Sequence, residues 1–151
     1  NNDVLRSLRY MLDISDERVV DILALAGFTA SLDEVSACLA KEDDDAYAVC
    51  SDELLGSFLD GLVTHLRGAD DSRPARALEL PLNNNIVLKK LRVAFELKEQ
   101  DLLDILKSVD FEVSKSELGA LFRRVGQSNY RPCGDQFLRN FLKGLTLRLR
   151  G

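Results

Sequence analysis

Apolar residues along this chain recur at the three- and four-residue spacing of amphipathic helices, and the pattern is written twice. Val4, Leu5, Leu8 and Leu12 mark one face of a helix over 4–12, and Val87, Leu88, Leu91 and Phe95 repeat it. Asn1/Asn2 and Asn84/Asn85 stand where N-caps of these helices are expected. A short polar turn leads to a second helix carrying Val19, Val20, Ile22, Leu23 and Ala26. Gly27 is placed just past its C-terminal cap, where a left-handed backbone favours glycine; Asp110, at the matching position, is a poorer choice. Phe28 and Phe111 follow, as plugs between helices. The third helix opens in both halves with a capping box, Ser31-x-x-Glu34 and Ser114-x-x-Glu117. The fourth begins near Asp52 or Asp135, whose carboxylates suit the positive end of a helix dipole. Its buried stripe reads Leu55, Phe58, Leu59, Leu62 and Leu66, then Leu138, Phe141, Leu142, Leu145 and Leu149.

The halves align without a gap, 1–68 over 84–151, and about a third of the paired positions are identical at one constant offset. Residues 69–83 carry Pro74 and Pro81 and read as a linker, whose RALELPL portion is apolar enough to dock on a surface. The expected fold is all-α: two tandem homologous four-helix units, the first acidic and the second basic. Units of about 68 residues bury modest cores and are marginal alone, so the two are expected to pack on each other with pseudo-twofold symmetry. Gly61 and Gly144 interrupt the last helices, where glycine costs about 1 kcal/mol relative to alanine. A close helix–helix approach there would offset that cost.

The last helices share Phe58-Leu59-Asp60-Gly61-Leu62 and Phe141-Leu142-Lys143-Gly144-Leu145, and each half adds a Tyr-x-x-Cys segment (Tyr47…Cys50, Tyr130…Cys133) and a closing Arg-Gly. As an ordered set, found in both copies, these motifs resemble the YehS-like bacterial family, short cytoplasmic proteins made of two copies of a domain of unknown function. The resemblance covers essentially the whole chain. It implies the duplicated architecture and brings no activity, cofactor or functional residue with it.

Composition narrows the chemistry. No run of about 18 apolar residues suggests a membrane span. The opening NNDVLRSLRYML lacks the basic start and long apolar stretch of a signal peptide, and the cysteines number 3, an odd count for a disulfide framework; cytoplasmic residence is expected. Cys38, Cys50, Cys133 and the single His65 include no C-x-x-C or H-x-x-x-H spacing, so neither a metal nor another cofactor is expected. The matched Cys50 and Cys133 read as small buried residues. No nucleotide-binding or nucleophile-elbow motif occurs, and an enzyme is not expected. His65 is expected on the surface, and Asp21 and Asp104 are expected to pair with Arg9 and Arg92.

Charge points toward a partner. The net charge is −5, yet 1–68 holds 14 acids against 5 bases, and 84–151 holds 8 against 13. The candidate binding residues are the basic Lys115, Arg123, Arg124, Arg131, Arg139 and Lys143 of the second half and the acidic Glu42, Asp43, Asp44 and Asp45 of the first. The leading expectation is a non-catalytic protein that binds a protein partner or self-associates through these opposite charges. The alternative is a DNA- or RNA-binding regulator. It uses LLDILKSVDFEVSKSELGALFRRV, read as a helix, a four-residue turn and a capped helix, with Arg148 and Arg150 adding charge further on. The acidic run of the first half would repel a phosphate backbone, which limits any duplex contact to the second half.

Overall fold

The computed structural model describes residues 1–68, 80–123 and 125–150. Among these the chain forms eight helices: α1 (Asn2–Leu12), α2 (Asp16–Leu25), α3 (Leu32–Leu39), α4 (Asp52–Arg67), α5 (Asn84–Ala94), α6 (Glu99–Lys107), α7 (Lys115–Leu121) and α8 (Asp135–Arg150). They fall into two compact units, Asn1–Leu82 and Asn83–Gly151, with four helices each. The architecture is a tandem all-α duplication.

In the first unit α2 packs on α4 and α3, and α1 lies on α3. Leu5, Leu8, Val19, Ile22, Leu23, Val35, Leu55, Phe58 and Leu62 are sealed from water, which places the core where the helical spacing predicts it. In the second unit α6 and α5 both pack on α8 around Leu88, Leu91, Leu102, Ile105, Phe141 and Leu145. The stripe on the last helix ends one turn early: Leu66 and Leu149 are exposed, at 41% and 46%.

The glycines inside α4 and α8 lie at the tightest crossings. A β-carbon at Gly61 would collide with the Ile22 carbonyl oxygen and lie 2.9 Å from its carbonyl carbon. At Gly144 it would strike the Ile105 carbonyl oxygen and lie 2.8 Å from Ile105 Cγ2. Each glycine thus admits the backbone of the second helix of its own unit, and the propensity cost is offset by close packing.

Helix ends follow local chemistry with some departures. Ser15, Ser31, Ser51 and Ser114 each accept an N–H from the first turn of α2, α3, α4 and α7. The Ser114–Glu117 box is reciprocal, the Ser114 N–H donating to Glu117 Oε1 at 3.3 Å. In the first unit the Ser31 hydroxyl instead donates to Glu34 Oε1 at 3.2 Å. Gly27 ends α2 with φ +79°, and Asp110 takes the same left-handed conformation at φ 57°. Asn1 flanks α1 without a side-chain cap, and α5 is capped by Asn83, whose side chain accepts from Ile86 N at 2.9 Å. The expected caps Asn2, Asn84 and Asn85 lie inside the helices and serve another purpose.

Two expected ion pairs form differently. Arg9 donates to Asp16 Oδ1 at 2.8 Å, and the Ser36 hydroxyl donates to Asp16 Oδ2 at 2.8 Å. Asp16 opens α2, directly after the turn that follows Arg9, whereas Asp21 lies more than a turn further on and is exposed. Arg92 donates to the Leu97 carbonyl at 3.1 Å and lies 4.6 Å over the Phe122 ring, and Asp104 accepts from Gln100 at 2.9 Å. Of the RALELPL segment, residues 76–79 and the rest of 69–79 lie outside the described residues. Its last residue, Leu82, donates its N–H to Asp52 Oδ2 at 3.1 Å, within the first unit.

Candidate interaction surfaces

The loops between the third and fourth helices are held by the duplicated Asn pairs. Asn2 Nδ2 donates to the carbonyls of Cys38 (3.0 Å) and Ala48 (2.8 Å), while its Oδ1 accepts the Cys50 N–H at 2.9 Å. Asn85 repeats this with Leu121 (2.9 Å), Arg131 (2.9 Å) and Cys133 (2.8 Å). One carboxamide supplies both donors and its acceptor, a task only Asn or Gln can perform. Asn1 and Asn84 continue the clamp onto Cys50 and Cys133 and onto the carboxylates of Asp52 and Asp135. The hydrogen bond from Asn1, with the Leu82 N–H second, lowers the Asp52 pKa below its ordinary value. These partners lie 36 to 51 residues away in sequence, beyond the reach of local pattern reading.

The acidic run occupies the first of these loops. Glu42, Asp43, Asp44 and Asp45 are all exposed, and Asp44 braces the turn by accepting the Ala46 N–H at 2.8 Å. Further along the same loop, Val49 projects into solvent at 76% exposure.

The basic residues of the second unit do not form one patch. Arg124 lies outside the described residues. Lys115 opens α7 and is exposed, some 200° around the helix from Glu117. Arg131 reaches Glu117 Oε2 at 3.4 Å, which tethers the loop to α7. The Ser114 N–H, its hydroxyl and Arg131 together pull the Glu117 pKa down. Arg123 is exposed just past α7, with Nη1 3.5 Å from the Ser128 carbonyl. Arg139 and Lys143 sit one turn apart on the outer face of α8, both exposed, and Arg139 also donates to Gln136 at 3.3 Å. Arg148 points elsewhere, pairing with Asp101 of α6 at 2.8 Å; His65, its counterpart in the first unit, is exposed. The helix-turn-helix outline is present, but residues 108–114 separate α6 from α7, a longer turn than the pattern predicts. The left-handed Asp110, with Phe111 after it, uses up the extra residues before the Ser114 cap.

One feature escaped the sequence altogether. A cleft of about 230 Å³ opens beside α7, floored by Phe111, Leu121 and Phe137 and walled by Val113 and Pro132, with Glu112, Glu117 and Arg131 on its rim. Phe111 and Phe137 meet edge to face, their ring centroids 5.6 Å apart. In the first unit the positions of Val113 and Phe137 hold the smaller Ala30 and Leu54, which are buried at 6% and 5% exposure. The only available signal was Phe in place of Leu at 137, which reads as one more core residue.

The three thiols are free and buried. Burial drives the Cys50 pKa up to about 12 and that of Cys133 to about 11, and it raises Cys38 as well. Thiols held protonated in this way are poor nucleophiles and poor metal ligands at neutral pH. No group of three or more His, Cys, Asp or Glu among the described residues is arranged to hold a metal ion. No helix among them is long and apolar enough to cross a membrane.

Comparison with known proteins places this sequence in a family. The chain is 48% identical to the uncharacterized protein YehS of Escherichia coli (strain K12) over 148 residues, covering 98% of this chain and 95% of the relative. No solved structure matches it. The profile of a protein family of unknown function, DUF1456, matches residues 1–68 and again 84–151, the two copies that the internal alignment pairs. With both halves matched and a relative this similar along nearly its whole length, the chain belongs to the DUF1456 family, with YehS as a fellow member.

Proposed function

We propose that this protein is a non-catalytic, cytoplasmic interaction protein whose partner is another protein, bound through the surfaces on which the two units differ. The observation that carries this reading is the change of charge at equivalent positions of a shared scaffold, from acidic or neutral in the first unit to basic and exposed in the second. Asp60 of α4 becomes the exposed Lys143 of α8, and Ala40 and Ala48 become the exposed Arg123 and Arg131. The acidic run at 42–45 has no acidic counterpart at 125–128. Core packing does not require any of these changes, because the side chains lie outside it. Exposed charge of this kind steers and selects a partner more than it tightens binding.

Nucleic acid is the less favoured partner. Helix α7 spans only Lys115–Leu121, and Arg131 and Arg148 are already engaged with carboxylates. The test is an affinity capture from lysate with and without nuclease, run beside an Arg139→Glu/Lys143→Glu variant. A protein retained after nuclease treatment and lost by the variant is the expected result. Direct binding of duplex or single-stranded probes, falling steeply with salt and abolished by Arg123→Glu, would replace this reading with the nucleic-acid one.

A further inference from the structure

The first unit carries an apolar knob whose backbone is fixed. Asn2 bonds the Ala48 carbonyl and the Cys50 N–H, the two groups that flank Val49. Neighbouring side chains of an extended segment point opposite ways, so the inward turn of Cys50, 1% exposed, drives Val49 outward to 76%. An exposed valine on a loose loop carries no message, but one held from both sides pays little ordering entropy on binding. The second unit carries the matching concavity, where Phe111, Leu121 and Phe137 line a cleft of about 230 Å³ with room for an isopropyl group.

Charge agrees with this pairing. The knob's loop bears Glu42, Asp43, Asp44 and Asp45, and the loop beside the cleft bears Arg123 and also Arg131, whose charge is shared with Glu117 on the rim, where Glu112 is the other carboxylate. Rim residue Glu117 is already held by the Ser114 N–H and by Arg131.

We infer that the cleft of the second unit receives the Val49 knob of a second copy of this chain, an inference that rests on the protein-interaction reading above. One chain carries both halves of the complementary pair, and they lie on different units. The contact is therefore heterologous: each molecule offers a knob at one place and a cleft at another, and association proceeds head to tail. A contact built on one buried side chain gives weak association, with charge setting its rate.

Sedimentation velocity on the full chain over a range of concentrations tests this. The wild type should show mass that rises with concentration and falls partly with added salt. Val49→Asp removes the knob and Pro132→Asp puts a carboxylate in the wall of the cleft; both positions are exposed, so both variants should fold. Each variant alone should associate at least tenfold more weakly. Mixed at equal concentration they should restore a one-to-one dimer and nothing larger, because only one productive contact remains. Arg131→Glu should behave like Pro132→Asp. A wild type that is monomeric throughout, or a mixture no heavier than its parts, overturns the inference. If the wild type still retains its nuclease-resistant partner in that case, the interaction reading stands without it.

Discussion

At the residue scale, the duplication supplies its own controls. Gly27 and Asp110 occupy the same left-handed position past the second helix of each unit, with the following Phe N–H bonded back to Leu23 or Leu106 in both. Aspartate gains nothing there that glycine lacks and bears the β-carbon strain. Asp110→Gly should therefore stabilise the protein by about 1 kcal/mol in urea unfolding, and Gly27→Asp should destabilise it by a similar amount. The Asn clamp gives a larger effect. Asn2 is 8% exposed, and its removal leaves the Cys38 and Ala48 carbonyls and the Cys50 N–H short of partners. Asn2→Ala should cost about 2–4 kcal/mol, with faster hydrogen exchange at the Cys50 amide. Asn85→Ala should cost less, because Asn85 is only half-buried and water can replace part of what is lost. Both residues look like helix caps in the sequence, since Asn is a favoured cap and no local signal shows a partner 48 residues away.

At the element scale, the fourth helix of each unit is both the spine of its core and the closest neighbour of the second helix. Alanine is the better helix former by about 1 kcal/mol, so propensity alone predicts that Gly61→Ala and Gly144→Ala are stabilising. Packing reverses the sign. The new methyl would press on the main chain of Ile22 or Ile105, which cannot move aside as a flexible side chain could. Each substitution should cost about 2–4 kcal/mol, read as a lower urea midpoint. An unchanged or raised midpoint would mean that the helices are not in this contact. The outer face of α8, with Arg139 and Lys143 one turn apart, plays no part in that packing. Charge reversal there should leave the free energy of urea unfolding within about 0.5 kcal/mol of wild type while abolishing partner capture.

For the molecule as a whole, the buried thiols set an alkaline limit. Burial keeps Cys50 and Cys133 protonated in the folded state, with pKa about 12 and about 11, whereas unfolded thiols release their protons near 9.0. The unfolded chain therefore binds fewer protons as pH rises through 9.0, and stability falls from there toward the folded values. Urea midpoints should hold steady below about pH 8 and decline above about pH 9, and a Cys38→Ala/Cys50→Ala/Cys133→Ala variant should show a shallower decline. The carboxylates act in the opposite direction. Hydrogen bonds lower the pKa of Asp52, Asp101 and Glu117, so what they contribute is present above the ordinary carboxylate range and is lost as the pH falls below it.

The linear sequence carries the duplication, the all-helical class, the helix order, most of the core and the serine caps of α3 and α7. These depend on spacing along a single helix or on comparison between copies, and both can be read from a linear string. It also indicated a close approach at Gly61 and Gly144, because a glycine inside a leucine-rich helix needs a reason. Which residues meet across loops emerges in the folded units: Asn2 and Asn85 as clamps, Arg9 with Asp16, and the dispersal of the basic residues over α7, α8 and the loop between them. The aromatic-floored cleft belongs with these, since it exists where Phe111 and Phe137 converge from elements far apart in the chain. Contacts of this kind depend on how the helices of a unit cross, and no local periodicity carries that information.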